Sequence, residues 1–209
     1  MTWQAAVEVW PSETLLFIPA LPGFQVCAPS PEQAQADAEY RVDAFIQWLH
    51  ECELAEELPT GEGIVIAEEA SAGGGAGPIF ESDSIASDSD YNELALAVGR
   101  AALSDLLFAL DDVPKEHKQT AERTLRHVAE MDRWYATRLA PAQGTPFTAI
   151  EDEIVQSASL FEETVDAFLT SRNPVTWVLE GETWSIRKAL RRRSGHLREH
   201  LVELLRLAG

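Results

Sequence analysis

Four long segments with helical periodicity fill the sequence from residue 91 onward, and proline or turn residues separate them. Each segment has about 20 residues and one apolar face, which it can bury only against another helix. This pattern predicts a four-helix bundle over residues 91–209, with a longer connector at roughly 140–148 as a candidate crossover. The predicted helices span about residues 91–110, 114–139, 149–171 and 183 to nearly the end of the sequence, the last one capped by Thr183.

The first 70 residues have a different pattern, in which short strand-like segments surround a single helix. Strands are predicted over residues 2–10, 14–18 and 63–67, where apolar side chains alternate or form short runs. Ser30 is positioned to cap a helix that has Pro31 at its first position and runs to about Cys52. We therefore expect a compact ββαβ unit over residues 1–70.

Residues 71–90 connect the two patterns and are rich in Gly, Ser and Asp, which predicts a flexible linker. The whole chain is thus predicted to belong to the α+β class. It would consist of the small N-terminal ββαβ unit, the linker and an all-α bundle.

Charge is distributed unevenly between these parts. The net charge is −19; residues 1–90 contain 17 acidic residues and one basic residue, Arg41, whereas residues 91–209 contain 18 acidic and 15 basic residues. Contacts with phosphate backbones or anionic membrane surfaces need clustered Lys and Arg, so we exclude nucleic acid and membranes as partners. The asymmetry predicts two modules with different roles.

The sequence also indicates a compartment. No stretch approaches the roughly 18 continuous apolar residues of a membrane span, and the first six residues lack the basic and apolar regions of a signal peptide. We therefore expect a cytoplasmic protein. Its two cysteines, Cys27 and Cys52, have no metal-binding or redox spacing, so we expect free thiols that behave as small buried hydrophobic residues.

Three of the five histidines are candidates for one metal site. His196 and His200 are four residues apart on the last predicted helix, so their rings share a face with Cβ atoms about 5–6 Å apart. His127 borders the apolar face of the second helix, and facing helices of a bundle can bring it to the pair. Three neutral imidazoles with an open fourth position are typical of a catalytic metal site, and Zn, Ni, Fe or Cu would suit it about equally. The alternative for His196 and His200 is that both are ordinary surface residues of a charged helix. For His50 and His117 we expect a surface location.

The bundle resembles the DinB/YfiT-like family of four-helix proteins over about 120 residues. The matching segments are residues 125–130, Trp134-Tyr135, residues 183–190 and His196-Leu197-Arg198-Glu199-His200. Family members typically carry one metal-binding histidine on the second helix and a His-x-x-x-His pair on the fourth. The resemblance implies that His127, His196 and His200 hold a divalent metal ion. It also implies a chemistry related to that of metal-dependent transferases and isomerases that use low-molecular-weight thiols.

The N-terminal unit resembles the fold of HicB-type antitoxins. The shared features are two strands, the segment Ile18-Pro19-Ala20-Leu21-Pro22-Gly23 and the helix opened by Ser30-Pro31-Glu32-Gln33-Ala34. A bundle follows here in place of the DNA-binding element that such antitoxins often add. The resemblance therefore implies a docking or dimerisation module, with a second copy of the chain as a candidate partner.

Two further patterns in the last predicted helix have alternative interpretations. His196-Leu197-Arg198-Glu199-His200 also matches the inverted zinc-peptidase motif, in which Glu199 would be the general base; that site needs a distal carboxylate ligand and a substrate cleft. Arg192 and Arg193 are candidates for binding the carboxylates of an anionic thiol cofactor near the metal, or for docking the acidic N-terminal unit. The simpler explanation for these arginines is a solvated basic face.

These features predict a divalent-metal protein of the DinB-like class that acts on a small-molecule substrate. The expected reaction is a metal-dependent transfer that uses a low-molecular-weight thiol, or a hydrolysis. The alternative is a non-enzymatic binding or regulatory protein whose bundle mediates dimerisation. The two hypotheses differ in turnover, because only an enzyme should lose activity when His127 is replaced by alanine.

Overall fold

A computed structural model of the chain describes residues 2–54, 61, 63–73, 77–140, 150–171 and 173–209. Within these residues the N-terminal part contains a four-stranded sheet and one helix, and the C-terminal part contains four long helices and a hairpin. The strands are β1 (Trp3–Val9), β2 (Thr14–Phe17), β3 (Gln25–Ala28), β4 (Ile64–Ser71), β5 (Thr176–Leu179) and β6 (Glu182–Ser185), and the helices are α1 (Pro31–Glu51), α2 (Ser89–Asp112), α3 (Lys118–Leu139), α4 (Ile150–Thr170) and α5 (Ile186–Ala208). The predicted α+β class is confirmed.

The sheet has the order β3-β2-β1-β4, in which β1 runs antiparallel to β2 and parallel to β4. The predicted ββαβ order lacks β3 and is corrected to βββαβ. This strand has only four residues, of which Val26 and Ala28 are buried, so its alternation is too short to stand out in the sequence. It follows a turn at Gly23, whose φ of 88° favours glycine.

Helix α1 covers one face of the sheet. The predicted cap is confirmed, because the Ser30 hydroxyl accepts a hydrogen bond from the backbone N–H of Gln33 at 3.3 Å. The buried face of α1 packs on inward-facing strand residues such as Trp3, Val7 and Leu16. The residues of α1 that form this face are Ala34, Ala38, Val42, Phe45, Ile46 and Leu49. The sheet and α1 thus share one hydrophobic core.

The four long helices form the predicted bundle, in which α5 packs against α2 and α3, and α3 packs against α4. The start of α5 corrects the predicted cap at Thr183, which lies in β6. Strands β5 and β6 form a hairpin whose turn residues, Glu180 and Gly181, both have positive φ, as tight two-residue turns require. The cap of α5 is Ser185, whose hydroxyl accepts a hydrogen bond from the backbone N–H of Lys188 at 3.0 Å.

The second face of the sheet lies against the segment before α2, and this segment contacts α5. Phe17 packs there with Phe80, which belongs to the predicted linker at 71–90. Asp83 of the same segment is buried and receives two hydrogen bonds from the guanidinium of Arg191, at 3.0 and 2.8 Å. The described residues of the linker therefore contribute buried contacts to the interface between the sheet and α5.

None of the helices in the described ranges combines the length and the apolar composition that a membrane crossing requires. The predicted crossover at about 140–148 lies outside the described residues except for Ala140. Residues 74–76 of the linker lie outside them as well.

Candidate metal centre

The three histidines proposed as metal ligands lie together at the contact between two helices. His127 comes from α3, and His196 and His200 occupy successive turns of α5. The Nε2 atom of His196 lies 3.1 Å from Nε2 of His127 and 3.1 Å from Nε2 of His200. One ring nitrogen of each residue thus lies within 4.8 Å of the other two, so the cluster could hold a metal ion.

The spacing of these nitrogens and the neutral state of the His196 ring fit a shared ion. Ligands at about 2.0–2.1 Å from a tetrahedral metal are about 3.3 Å apart, close to the two Nε2–Nε2 distances of 3.1 Å. An imidazole must be unprotonated at the nitrogen that binds a metal. Burial, with smaller contributions from His200 and His127, lowers the pKa of His196 to about 2, so this ring is neutral at physiological pH. His127 is exposed, so solvent reaches the cluster from its side.

Glu203 and Thr124 orient one of the rings. Nδ1 of His200 lies 2.8 Å from a carboxylate oxygen of Glu203, less than one turn further along α5. The Thr124 hydroxyl, on α3, donates a longer hydrogen bond of 3.5 Å to the other oxygen of Glu203. A proton on Nδ1 that is donated to Glu203 leaves the Nε2 lone pair of His200 facing the other two rings. Neither residue was predicted from the sequence, although the i, i+3 spacing of His200 and Glu203 was an available signal.

Packing holds the ring of His196. Its Nδ1 atom is buried and has no hydrogen-bond partner within the part of the chain that the structure describes. The ring lies edge-to-face with Tyr135, with centroids 6.4 Å apart, and Tyr135 in turn contacts Trp134 at 5.1 Å. Trp184 is fully buried and packs on Trp134 at 5.4 Å. These aromatic side chains form part of the bundle core beside the cluster.

The two arginines predicted to bind a cofactor are both paired with protein carboxylates. Arg193 is buried and donates hydrogen bonds to both oxygens of Asp132 on α3, at 2.9 and 2.8 Å. Arg192 bonds Glu8 of β1, with both carboxylate oxygens at 2.8 Å. For Arg192 this geometry matches the alternative role, the docking of the acidic N-terminal unit. The assignment of Arg192 and Arg193 to cofactor binding stays a prediction.

The other reactive residues singled out by sequence lie outside the cluster. His50 and His117 are exposed, as expected for surface residues. Glu199 is exposed and accepts a hydrogen bond from Nε2 of Gln25 at 3.0 Å, so its carboxylate faces the N-terminal part and not the histidines. This orientation argues against Glu199 as the general base of an inverted zinc-peptidase site.

Both cysteines are free, as expected, but neither is buried. Cys27 is exposed and Cys52 is half-buried, so the expectation that they behave as core residues was wrong. Cys27 lies on β3, the strand that the sequence analysis missed, where alternation turns it away from the core shared with α1.

A cleft adjoins the histidine cluster on the side of His200. It has a volume of about 500 Å³ and is lined by residues of α5, of α1 and of β3 with its preceding turn. Glu199, His200 and Glu203 all contribute to this lining. Sequence reasoning missed the cleft because its walls come from segments that are far apart in the chain.

Comparisons of the chain with protein-family models, with curated proteins and with solved structures found no match. The histidine cluster and the cleft beside it are therefore the features from which a function can be inferred.

Proposed function

We propose that the protein binds one divalent metal ion through His127, His196 and His200. The observation that carries this proposal is the convergence of three imidazole nitrogens from two helices, with two Nε2–Nε2 distances of 3.1 Å. Helix-borne ligands are held in place before an ion arrives, so the chain loses little conformational freedom on binding it.

The count of protons favours a cation over a metal-free cluster of hydrogen-bonded histidines. A neutral imidazole carries one N–H. When His200 donates its proton to Glu203, its Nε2 has only a lone pair to present to His196. Nε2 of His196 carries at most one hydrogen, yet it has two ring nitrogens at 3.1 Å and cannot make a full hydrogen bond to both. A cation between the rings would attract all three lone pairs.

The proposed role of the ion is catalytic, in a transfer that uses a low-molecular-weight thiol or in a hydrolysis. An ion held by three imidazoles keeps an open position at which it can lower the pKa of a thiol or water, or polarise a carbonyl. The cleft that reaches His200 supports an enzymatic role. The resemblance of the helix motifs to the DinB-like family, which stays a prediction, implies the same kind of chemistry. In this proposal the three histidines hold the ion and Glu203 orients His200.

Elemental analysis of untagged protein tests the metal site. We expect about one divalent ion per chain in the wild type and little or none in His196→Ala. His117→Ala is the matched control, because it removes an exposed imidazole outside the cluster and should keep the ion. A wild-type protein that contains no ion and takes up neither Zn²⁺ nor Ni²⁺ would contradict the proposal, as would an equal loss in the control.

Turnover separates an enzyme from the non-enzymatic alternative. Metal-loaded protein should catalyse a thiol-dependent transfer or a hydrolysis that His127→Ala abolishes. Because His127 is exposed, its replacement should change the free energy of unfolding of the metal-free protein by less than about 0.5 kcal/mol. Turnover that survives in His127→Ala would refute the catalytic role. A stable homodimer without any turnover would favour the binding or regulatory role.

A further inference from the structure

The cleft beside His200 brings together surfaces from both parts of the chain. Arg41, Ala44 and Phe45 of α1 lie on one side, and Val202 and Arg206 of α5 lie on another. Its volume of about 500 Å³ is within the range of about 300–1,000 Å³ that small-molecule sites occupy.

Arginines outnumber carboxylates in the lining of this cleft by three to two. Arg41 and Arg206 are exposed and have no ion pair among the described residues. Arg41 is the one basic residue among the first 90, which contain 17 acidic residues, and it lines this cleft. The third arginine of the lining, Arg198, is already engaged, since its guanidinium stacks 3.8 Å from the ring centroid of Trp48.

The two carboxylates of the lining each accept a hydrogen bond. Glu199 accepts one from the side-chain amide of Gln25, and Glu203 lies 2.8 Å from Nδ1 of His200. Neither carboxylate is paired with Arg41 or Arg206. Their presence disfavours a dianionic ligand such as a phosphate monoester, and a ligand with a single negative charge suits the cleft better.

The rest of the lining is apolar or neutral. Phe24 and Phe45 are buried and present only their edges to the cleft, whereas Ala44 of α1 and Val202 of α5 are exposed. The thiol of Cys27 donates a hydrogen bond to Glu13, and burial together with this carboxylate raises the pKa of Cys27 to about 12. Cys27 therefore stays a neutral thiol and adds no negative charge to the cleft.

We propose that this cleft binds a small carboxylic acid with an apolar body, whose carboxylate is held by Arg41 and Arg206. Guanidinium groups suit this task because they bond carboxylates through several N–H groups at once. The apolar body would pack on Ala44 and Val202 and on the exposed edge of Phe45. The ligand would then lie beside His200, one of the three histidines of the proposed metal site. That this carboxylic acid is the substrate rests on the proposed function. That it binds in the cleft does not.

Ligand-detected NMR titration with phenylbutyrate, phenylbutyramide and phenyl phosphate tests this proposal. We expect the carboxylate to bind most tightly to the wild type. Arg41→Gln and Arg206→Gln should each raise the Kd of phenylbutyrate by about three- to tenfold, the range for a charge-assisted contact at an accessible site. Arg123→Gln is the matched control: it removes the same charge four residues before His127, outside the cleft lining, and should leave the Kd unchanged.

The His196→Ala variant separates this proposal from that of the metal site. Phenylbutyrate binding that persists in this variant and weakens in the two arginine variants supports the cleft, whether or not the wild type holds an ion. Binding that needs a bound ion and ignores both arginines would identify the carboxylate as a metal ligand; it would overturn the cleft proposal and leave the metal site intact. No binding, or tighter binding of the amide or the phosphate, would also overturn it.

Discussion

Replacing Asp132 with alanine should lower the free energy of unfolding by about 3–5 kcal/mol, the range for breaking one side of a buried ion pair. Asp132 on α3 receives two hydrogen bonds from Arg193 of α5, at 2.9 and 2.8 Å. The exposed fractions of the two side chains are 1% and 2%. Alanine would leave a guanidinium charge in the bundle interior without its carboxylate.

The surroundings of Arg193 explain why this charge cannot easily reach water. Its guanidinium carbon lies 4.6 Å from the ring centroid of Phe161 on α4. On α2, a Cβ added at Gly99 would lie 2.6 Å from Nη1 of Arg193. One side chain of α5 therefore contacts α2, α3 and α4 together, and it can be solvated only if the bundle opens.

Urea unfolding followed by circular dichroism measures the effect in a double-mutant cycle. Asp132→Leu and Arg193→Met should each cost several kcal/mol, but the double variant should cost less than their sum, because it leaves no unpaired charge. We expect a coupling energy of about 3 kcal/mol. The exposed pair Arg100–Glu162, with side chains 60% and 23% exposed, is the matched control and should couple by less than about 1 kcal/mol.

Two results would refute this reasoning. One is a loss below about 1 kcal/mol in Asp132→Ala, which would mean that Arg193 finds another partner or water. The other is additivity of the two substitutions in the buried cycle, which would mean that their charges do not interact.

Three further predictions concern single positions. Glu203→Gln should weaken metal affinity about 10- to 100-fold in a chelator competition, because an amide holds the Nδ1 proton of His200 less strongly than a carboxylate does; unchanged affinity would exclude the orienting role. Gly99→Ala should lower the free energy of unfolding by about 1–3 kcal/mol in urea, although alanine is the better helix former, because its Cβ would press on Arg193; a gain in stability would contradict this packing. Burial lowers the pKa of Lys188 from 10.5 to about 8. Between pH 8 and pH 10.5 the unfolded chain therefore binds more protons than the folded chain does. The free energy of unfolding should therefore rise with pH across this window, by at most about 1.4 kcal/mol per pH unit, and Lys188→Met should lack this rise; equal slopes in the two proteins would refute it.

The parts of the fold that the sequence predicted depend on local signals. The long helices appear as 3.6-residue periodicity bounded by prolines, and the cap at Ser30 appears as a short motif. The pairing of His196 with His200 follows from one turn of helix. The meeting of this pair with His127 is less local, but the position of each at the edge of an apolar face indicated it.

The parts that the sequence did not predict depend on contacts between distant segments. Strand β3 and the hairpin before α5 have strands of four residues, too few for a clear alternation. Arg192 and Arg193 are adjacent and chemically identical, yet they bond carboxylates in different parts of the chain. Successive residues of a helix point about 100° apart, so the carboxylate that each one meets is decided by packing and is not visible in the sequence.

The crowding of α5 has a consequence for how this sequence can evolve. Most of its side chains from Ile186 to Leu197 are buried. Among them, Arg191 and Arg193 pair with carboxylates from elsewhere in the chain. A tolerated change at Arg193 would need a matching change at Asp132, and one at Arg191 would need a change at Asp83. In divergent descendants of this chain we expect these positions to vary as pairs, whereas an exposed position of the same helix, such as Leu205, can drift alone.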